Sequence, residues 1–265
     1  MEKINVKDVL KGTEKKIFST GFIDIDLVLR NVEKGSIITI GGRPAMGKTA
    51  FSLSIVNHLL EQNKKIFYFS PVLRTKAIAK RLIANKLGMN HFDFMKIDVV
   101  VKSGAEYFKN KEFYTNDKTL LTVEDIENEI KENTPDVVFI DYIQLLKMPK
   151  APNYTDSINL AVQEIKRIAK ETGVIFVILT QLSRALENRY DKRPMLSDIR
   201  NSSLLEELSD VVMMIYRDEY YNKDDETNKN YAEIILCKND FGPLATVSLK
   251  FDNGIFYNRT QVLEF

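Results

Sequence analysis

With 265 residues, 44% of them hydrophobic, the chain is long enough to bury the core of one large α/β domain or two small ones, so disorder is not the expectation. A formal charge of +1 gives no electrostatic case for nucleic acid or a membrane surface, although a balanced total leaves room for a local basic strip. The single cysteine, Cys237, excludes an internal disulfide framework, and two histidines, His58 and His91, supply no Cys/His zinc cluster; a reducing, cytoplasmic compartment fits.

The N-terminal stretch MEKINVKDVLKG alternates in charge and has no apolar core of signal-peptide length, and no later run is long enough to cross a bilayer. Residues 1–16 read as an arm or lead-in helix, with Ile4, Val6, Val9 and Leu10 loosely spaced on one face; residues 17–265 read as the domain. After the turn signal Glu33-Lys34-Gly35-Ser36, the run Ile37-Ile38-Thr39-Ile40 predicts a buried strand. From Thr49 the spacing of Phe51, Leu53, Ile55, Val56, Leu59 and Leu60 predicts a helix, and Ile66 to Phe69 a second central strand, which completes a βαβ unit.

Two further apolar runs, Asp136 to Asp141 and Val174 to Leu179, flank a predicted helix from Ser157 to Lys170, and Val211 to Tyr216 predicts another strand. Continuous apolar strands with helices between them imply a mostly parallel central sheet covered by helices on both faces. The alternating stretches Ala232 to Cys237 and Thr246 to Phe251 predict a C-terminal antiparallel hairpin at the sheet edge. Lys102 to Asn116 and Asn222 to Asn230 are polar and read as surface loops.

The segment Gly42-Arg43-Pro44-Ala45-Met46-Gly47-Lys48-Thr49, followed by Ala50, has the pattern G-x-x-x-x-G-K-T between a strand and a helix. That chemistry needs glycines so that backbone N–H groups can curl around phosphate oxygens, with the helix N-terminus favouring negative charge. Lys48 would then reach the β/γ-phosphates of ATP and Thr49 would ligate Mg²⁺. Asp141 ends a buried strand at the edge where open α/β sheets bind ligands, a position suited to a second metal contact; capping of a strand is the plainer alternative. Gln181, at the end of its own apolar run, could sense the γ-phosphate or the attacking water, or be an amide in a polar loop.

Together with Ser19 to Asp26, Ile140-Asp141-Tyr142-Ile143-Gln144-Leu145, Thr180-Gln181-Leu182-Ser183-Arg184, Asp191 to Arg200 and Ile215 to Tyr220, these segments resemble the DnaB-type replicative DNA helicases in their RecA-like motor domain. Lys192-Arg193-Pro194 and Tyr216-Arg217-Asp218-Glu219 are specific to that family beyond the phosphate loop. The resemblance implies a RecA-like P-loop core, a hexameric ring of copies with ATP at each junction, single-stranded DNA through the centre and other replication proteins as partners. It also implies that Asp198 to Ser203 is a DNA-contacting loop in which Arg200 and the backbone near Asn201 and Ser203 hold phosphates.

Two positions depart from the family. Its strand ending Ser-Leu-Glu-Met supplies a glutamate that polarises the attacking water, and Val72 stands at that place in Phe69-Ser70-Pro71-Val72-Leu73. Its hairpin Lys-Gln-Arg-Asn-Gly offers an arginine finger to the next subunit, and this chain has Lys238-Asn239-Asp240-Phe241-Gly242, leaving Lys238 as the one cation. The expectations are therefore an ATP-binding helicase motor domain acting on single-stranded DNA, with the family's activity from other catalytic residues or with hydrolysis in doubt at those two positions, or, alternatively, a nucleotide-binding, catalytically weak structural or regulatory partner of a replication complex. A P-loop kinase or recombinase-like protein shares the phosphate chemistry but does not account for Lys192 to Asp198.

Overall fold

The computed structural model describes residues 17–90, 104, 106–200, 203–224 and 226–259. The arm at 1–16 and Asn201 lie outside the described residues. Seven α-helices and nine strands are used below: α1 (Ile23–Leu29), β1 (Ile37–Gly42), α2 (Lys48–Glu61), β2 (Ile66–Phe69), α3 (Thr75–Lys86), β3 (Phe113–Asn116), α4 (Val123–Asn133), β4 (Val137–Ile140), α5 (Tyr154–Thr172), β5 (Ile175–Gln181), α6 (Ser203–Leu208), β6 (Val211–Tyr216), α7 (Asp218–Tyr221), β7 (Tyr231–Asn239), β8 (Ala245–Asp252) and β9 (Ile255–Tyr257).

The strands form one sheet in the order β3-β2-β4-β5-β1-β6-β7-β8-β9. Pairing is parallel from β3 to β6 and antiparallel from β6 to β9, so the expected hairpin closes one side of the sheet with one strand more than anticipated. Because successive strand residues point to opposite faces, each continuous apolar run feeds two cores. Ile38, Ile40, Tyr68, Phe139 and Val177 pack with α1, α2 and α3, whereas Ile37, Phe67, Val138, Ile140 and Phe176 pack under α4, α5 and α6. This double burial is what a parallel sheet covered on both faces requires.

Local chemistry sets the helix ends. Asn153 caps α5 by accepting the Asp156 N–H at 2.9 Å, and the helix stops at Gly173, whose φ of 73° suits glycine. Thr122 and Asp125 form a reciprocal capping box at the start of α4. One expectation is corrected: Lys102 to Asn116 is not loop throughout, because Phe113–Asn116 pairs in parallel with β2 as the edge strand. The strand is short and half exposed, so its sequence carries no apolar run.

Candidate phosphate-loop site

Residues Arg43 to Gly47 link β1 to α2 at the edge where the parallel strands end. Ala45 (φ 65°) and Gly47 (φ 99°) turn the chain tightly, and a Cβ on Gly47 would stand 3.0 Å from the Phe256 ring. The Lys48 ammonium donates to the carbonyls of Gly42 (2.7 Å) and Arg43 (3.2 Å), so the loop's own backbone holds it. Burial pulls the Lys48 pKa down to about 8, against the attraction of Asp141 and with the repulsion of Arg43.

Asp141, at the end of β4, is buried and accepts on one carboxylate oxygen from Thr49 Oγ1 (2.8 Å) and Tyr68 Oη (2.9 Å). Burial pushes its carboxyl above the usual range, opposed by those two hydrogen bonds and by Lys48. Tyr68 in turn meets Ser52 Oγ at 2.9 Å, and burial first, then the Asp141 charge, raises its phenol. Thr49 and Asp141 thus present oxygen donors side by side in the manner a hard divalent cation needs.

These groups open on a cavity of about 670 Å³, lined by Lys48, Thr49, Asp141, Val72, Arg81 and Phe251 among others. Asp141 is the one carboxylate among the described residues that line it. Val72 is 51% exposed. Ala45, Gly47 and Ala50 line the cavity as expected of the loop, while Gly42, Arg43, Pro44 and Met46 do not. Met46 is buried in the core, and the Arg43 guanidinium turns inward to Glu187 Oε1 and the Leu182 carbonyl, both at 2.9 Å.

Gln181 pairs in register with Gly42, and its N–H donates to Gln144 Oε1 at 3.3 Å; its side chain is not in the cavity wall. Lys238 sits at the opposite end of the sheet. It pairs with Val212, whereas the loop end of β1 pairs with Ile215, and its ammonium donates to the Glu206 and Glu207 carbonyls of α6 at 3.3 and 2.8 Å. At ~3.3 Å per residue, the three steps from Thr39, level with Val212, to Gly42 separate Lys238 from the loop by roughly 10 Å along the strands alone, and its ammonium turns to α6, so Lys238 and Asp240 cannot meet a phosphate held in their own chain. Arg200 follows Ile199, which bridges Leu182, and is exposed at the same edge as the phosphate loop. Ser203 starts α6 and is exposed.

Residue reading missed three participants. Tyr68 looked like one more apolar strand residue. Arg81 of α3 faces the cavity and acts electrostatically on Asp141. Arg217 donates to the Ala45 carbonyl at 3.1 Å, pairs with Glu219 and lies 4.0 Å from the Phe251 ring centroid, which ties the phosphate loop to α7 and β8. Arg217 was visible only as part of a family segment, with no role attached.

A parallel sheet with a glycine loop, lysine and threonine at one strand end and a buried aspartate at a neighbouring one defines a P-loop nucleotide-binding domain of RecA-like architecture. The family model of the DnaB-like helicase C terminal domain matches residues 18–258, and the chain belongs to that family. It is 35% identical over 266 residues to a probable replicative DNA helicase of Trieres chinensis, covering 93% of this chain and 56% of the relative. It is 32% identical over 289 residues to the replicative DNA helicase DnaB of Geobacillus stearothermophilus, covering 98% and 62%. Among solved structures, an ATPase domain superposes with a TM-score of 0.88 at 32% identity over 96% of both chains. A DnaB-like replicative helicase studied with primase gives a TM-score of 0.89 at 32% identity, over 96% of this chain and 66% of that one. The chain thus spans 56% and 62% of the two curated relatives' lengths.

Proposed function

We propose that this domain captures ATP and Mg²⁺ as the motor domain of a DnaB-like replicative helicase, but turns ATP over slowly. Lys48 and the backbone of the loop hold the phosphates, Thr49 and Asp141 hold the metal, and Gln181 stands near the γ-phosphate end. Copies assemble in a ring, of six in the family pattern, around single-stranded DNA contacted by Arg200 and the neighbouring segment at Asn201 and Ser203, in a cytoplasmic replication complex. No helix among the described residues is long and apolar enough to cross a membrane.

The observation that carries slow turnover is Val72 in the wall of the same cavity as Lys48, Thr49 and Asp141, where the family places its glutamate. A valine cannot accept a proton, and a general base commonly contributes ~10²–10⁴-fold. Lys238 and Asp240 lie where only a neighbouring copy's nucleotide could meet them, and there Asp240 would repel the γ-phosphate that an arginine would neutralise. The same pair of losses supports the second reading, a nucleotide-holding structural or regulatory partner in a replication complex. Steady-state ATP hydrolysis with and without single-stranded DNA, measured beside nucleotide affinity, separates the outcomes. Tight binding with little turnover is expected. Hydrolysis at motor rates that vanishes in Lys48→Ala sinks the claim of slow turnover, and absence of ATP binding sinks the whole reading.

A further inference from the structure

The sequence offers Arg200 no aromatic company, whereas the fold does. Gln144 lies against the exit of β5: its Nε2 donates to Thr180 Oγ1 at 2.7 Å and its Oε1 accepts the Gln181 N–H. The Gln144 carbonyl accepts the Tyr154 hydroxyl at 2.8 Å. One residue further along the same strand exit, Leu182 bridges Ile199, the residue before Arg200. Tyr154 and Arg200 are therefore hung from consecutive residues of one strand end, and they are near enough for the Arg200 charge to act on the Tyr154 phenol.

Tyr154 is 47% exposed although its hydroxyl is fixed, so the ring shows solvent a face without the freedom to fold away. Lys147 and Lys150, in the loop before it, and Arg184, just after Leu182, are exposed too. Like Arg200, none of these enters an ion pair among the described residues. A rigid aromatic face beside the Arg200 cation, with further exposed cations on the adjoining loops, is the composition of a platform for single strands: cations follow the phosphates and the ring stacks a base of any identity.

The geometry points to Tyr154 as a base-stacking residue for single-stranded nucleic acid, adjoining the phosphate contact at Arg200. This rests on the reading that the Arg200 segment meets DNA. Stacking explains how a sequence-independent contact can be firm with few cations, since every base has a π face.

The test uses the full chain with ATP and Mg²⁺ and fluorescence anisotropy on two labelled oligonucleotides of equal length, oligo-dT and its abasic counterpart. Tyr154→Ala should weaken oligo-dT binding by about 10-fold and leave the abasic strand unchanged, while Tyr154→Phe, which keeps the ring, stays within about twofold of wild type. Arg200→Ala should weaken both strands alike. Unchanged oligo-dT affinity in Tyr154→Ala, an equal loss on both strands, or a loss in Tyr154→Phe as large as in Tyr154→Ala overturns the stacking role while Arg200 contact stands. If wild type binds neither strand, the DNA reading itself falls.

Discussion

One part of the cavity wall is made by the phosphate loop, Thr49 and Asp141; a second, at the exit of the neighbouring strand β2, includes Val72 and Leu73. On the first, the side chains are held by partners that keep them aimed, Lys48 on two carbonyls, Thr49 and Tyr68 on Asp141, and the Ala45 carbonyl accepts from Arg217. On the second, a half-exposed valine offers only methyl groups where charge would have to move. Groups of the first kind stabilise a bound nucleotide before and during reaction alike, while a base and a finger act mainly in the transition state. On the proposed function, changes to the second wall should alter turnover more than binding.

The largest expected effect comes from repairing the bare wall. Val72→Glu combined with Asp240→Arg should raise ATP turnover at least ~10²-fold in the assembled ring, since a base alone commonly contributes that much and a finger more. Both side chains are exposed enough to be exchanged without disturbing the core. A steady-state phosphate-release assay reads the gain; no gain means that the two walls differ by more than these groups. Next, Lys48→Ala removes a charged donor and should weaken ATP binding ~10- to 10²-fold, the worth of a net charge-assisted hydrogen bond of ~1.5–3 kcal/mol. Calorimetric titration checks it, with melting temperature as the control for folding.

What the sequence could and could not disclose follows the same division. The loop and Asp141 were legible because fixed spacing and strand position carry their chemistry, and the strands from Ile37 to Tyr216 because burial on both faces leaves unbroken apolar runs. Tyr68 was not legible: inside Ile66–Phe69 it reads as core, and only the pairing of β2 with β4 carries its hydroxyl to Asp141. The place of Lys238 depended on hairpin register, and that of Tyr154 on a hydrogen bond to Gln144, neither of which has a local pattern. Strand β3 and helix α3 were missed because they bury little, Ile78, Leu82 and Ala84 alone in α3.

Acidity gives a finer cut. Lys48 is depressed to about 8 in the free protein, and bound phosphate favours its charged form, so the bound value is higher. ATP affinity is therefore full below about 8 and falls as pH rises through it, by at most tenfold per pH unit. Asp141 runs the other way: its raised carboxyl takes a proton at higher pH than an ordinary aspartate, so the Mg²⁺ requirement should increase on acidification. Titrating ATP affinity against pH at fixed and at saturating Mg²⁺ separates the limbs; a flat profile would show that the ordered wall holds nucleotide without these two charges.

The smallest effect tests whether order on that wall extends behind the contact residues. Tyr68→Phe removes one of the two hydrogen bonds that hold Asp141 ionised, while the ring still packs between Phe113 and Phe139. With roughly 1 kcal/mol for one such bond, Mg²⁺ affinity in the presence of ATP should fall about fivefold, and the acid limb should move to higher pH because Asp141 is then easier to protonate. Loss of affinity without movement of that limb would assign Tyr68 to packing. Movement in the stated direction would mean that the carboxylate at the end of β4 is kept charged from the neighbouring strand.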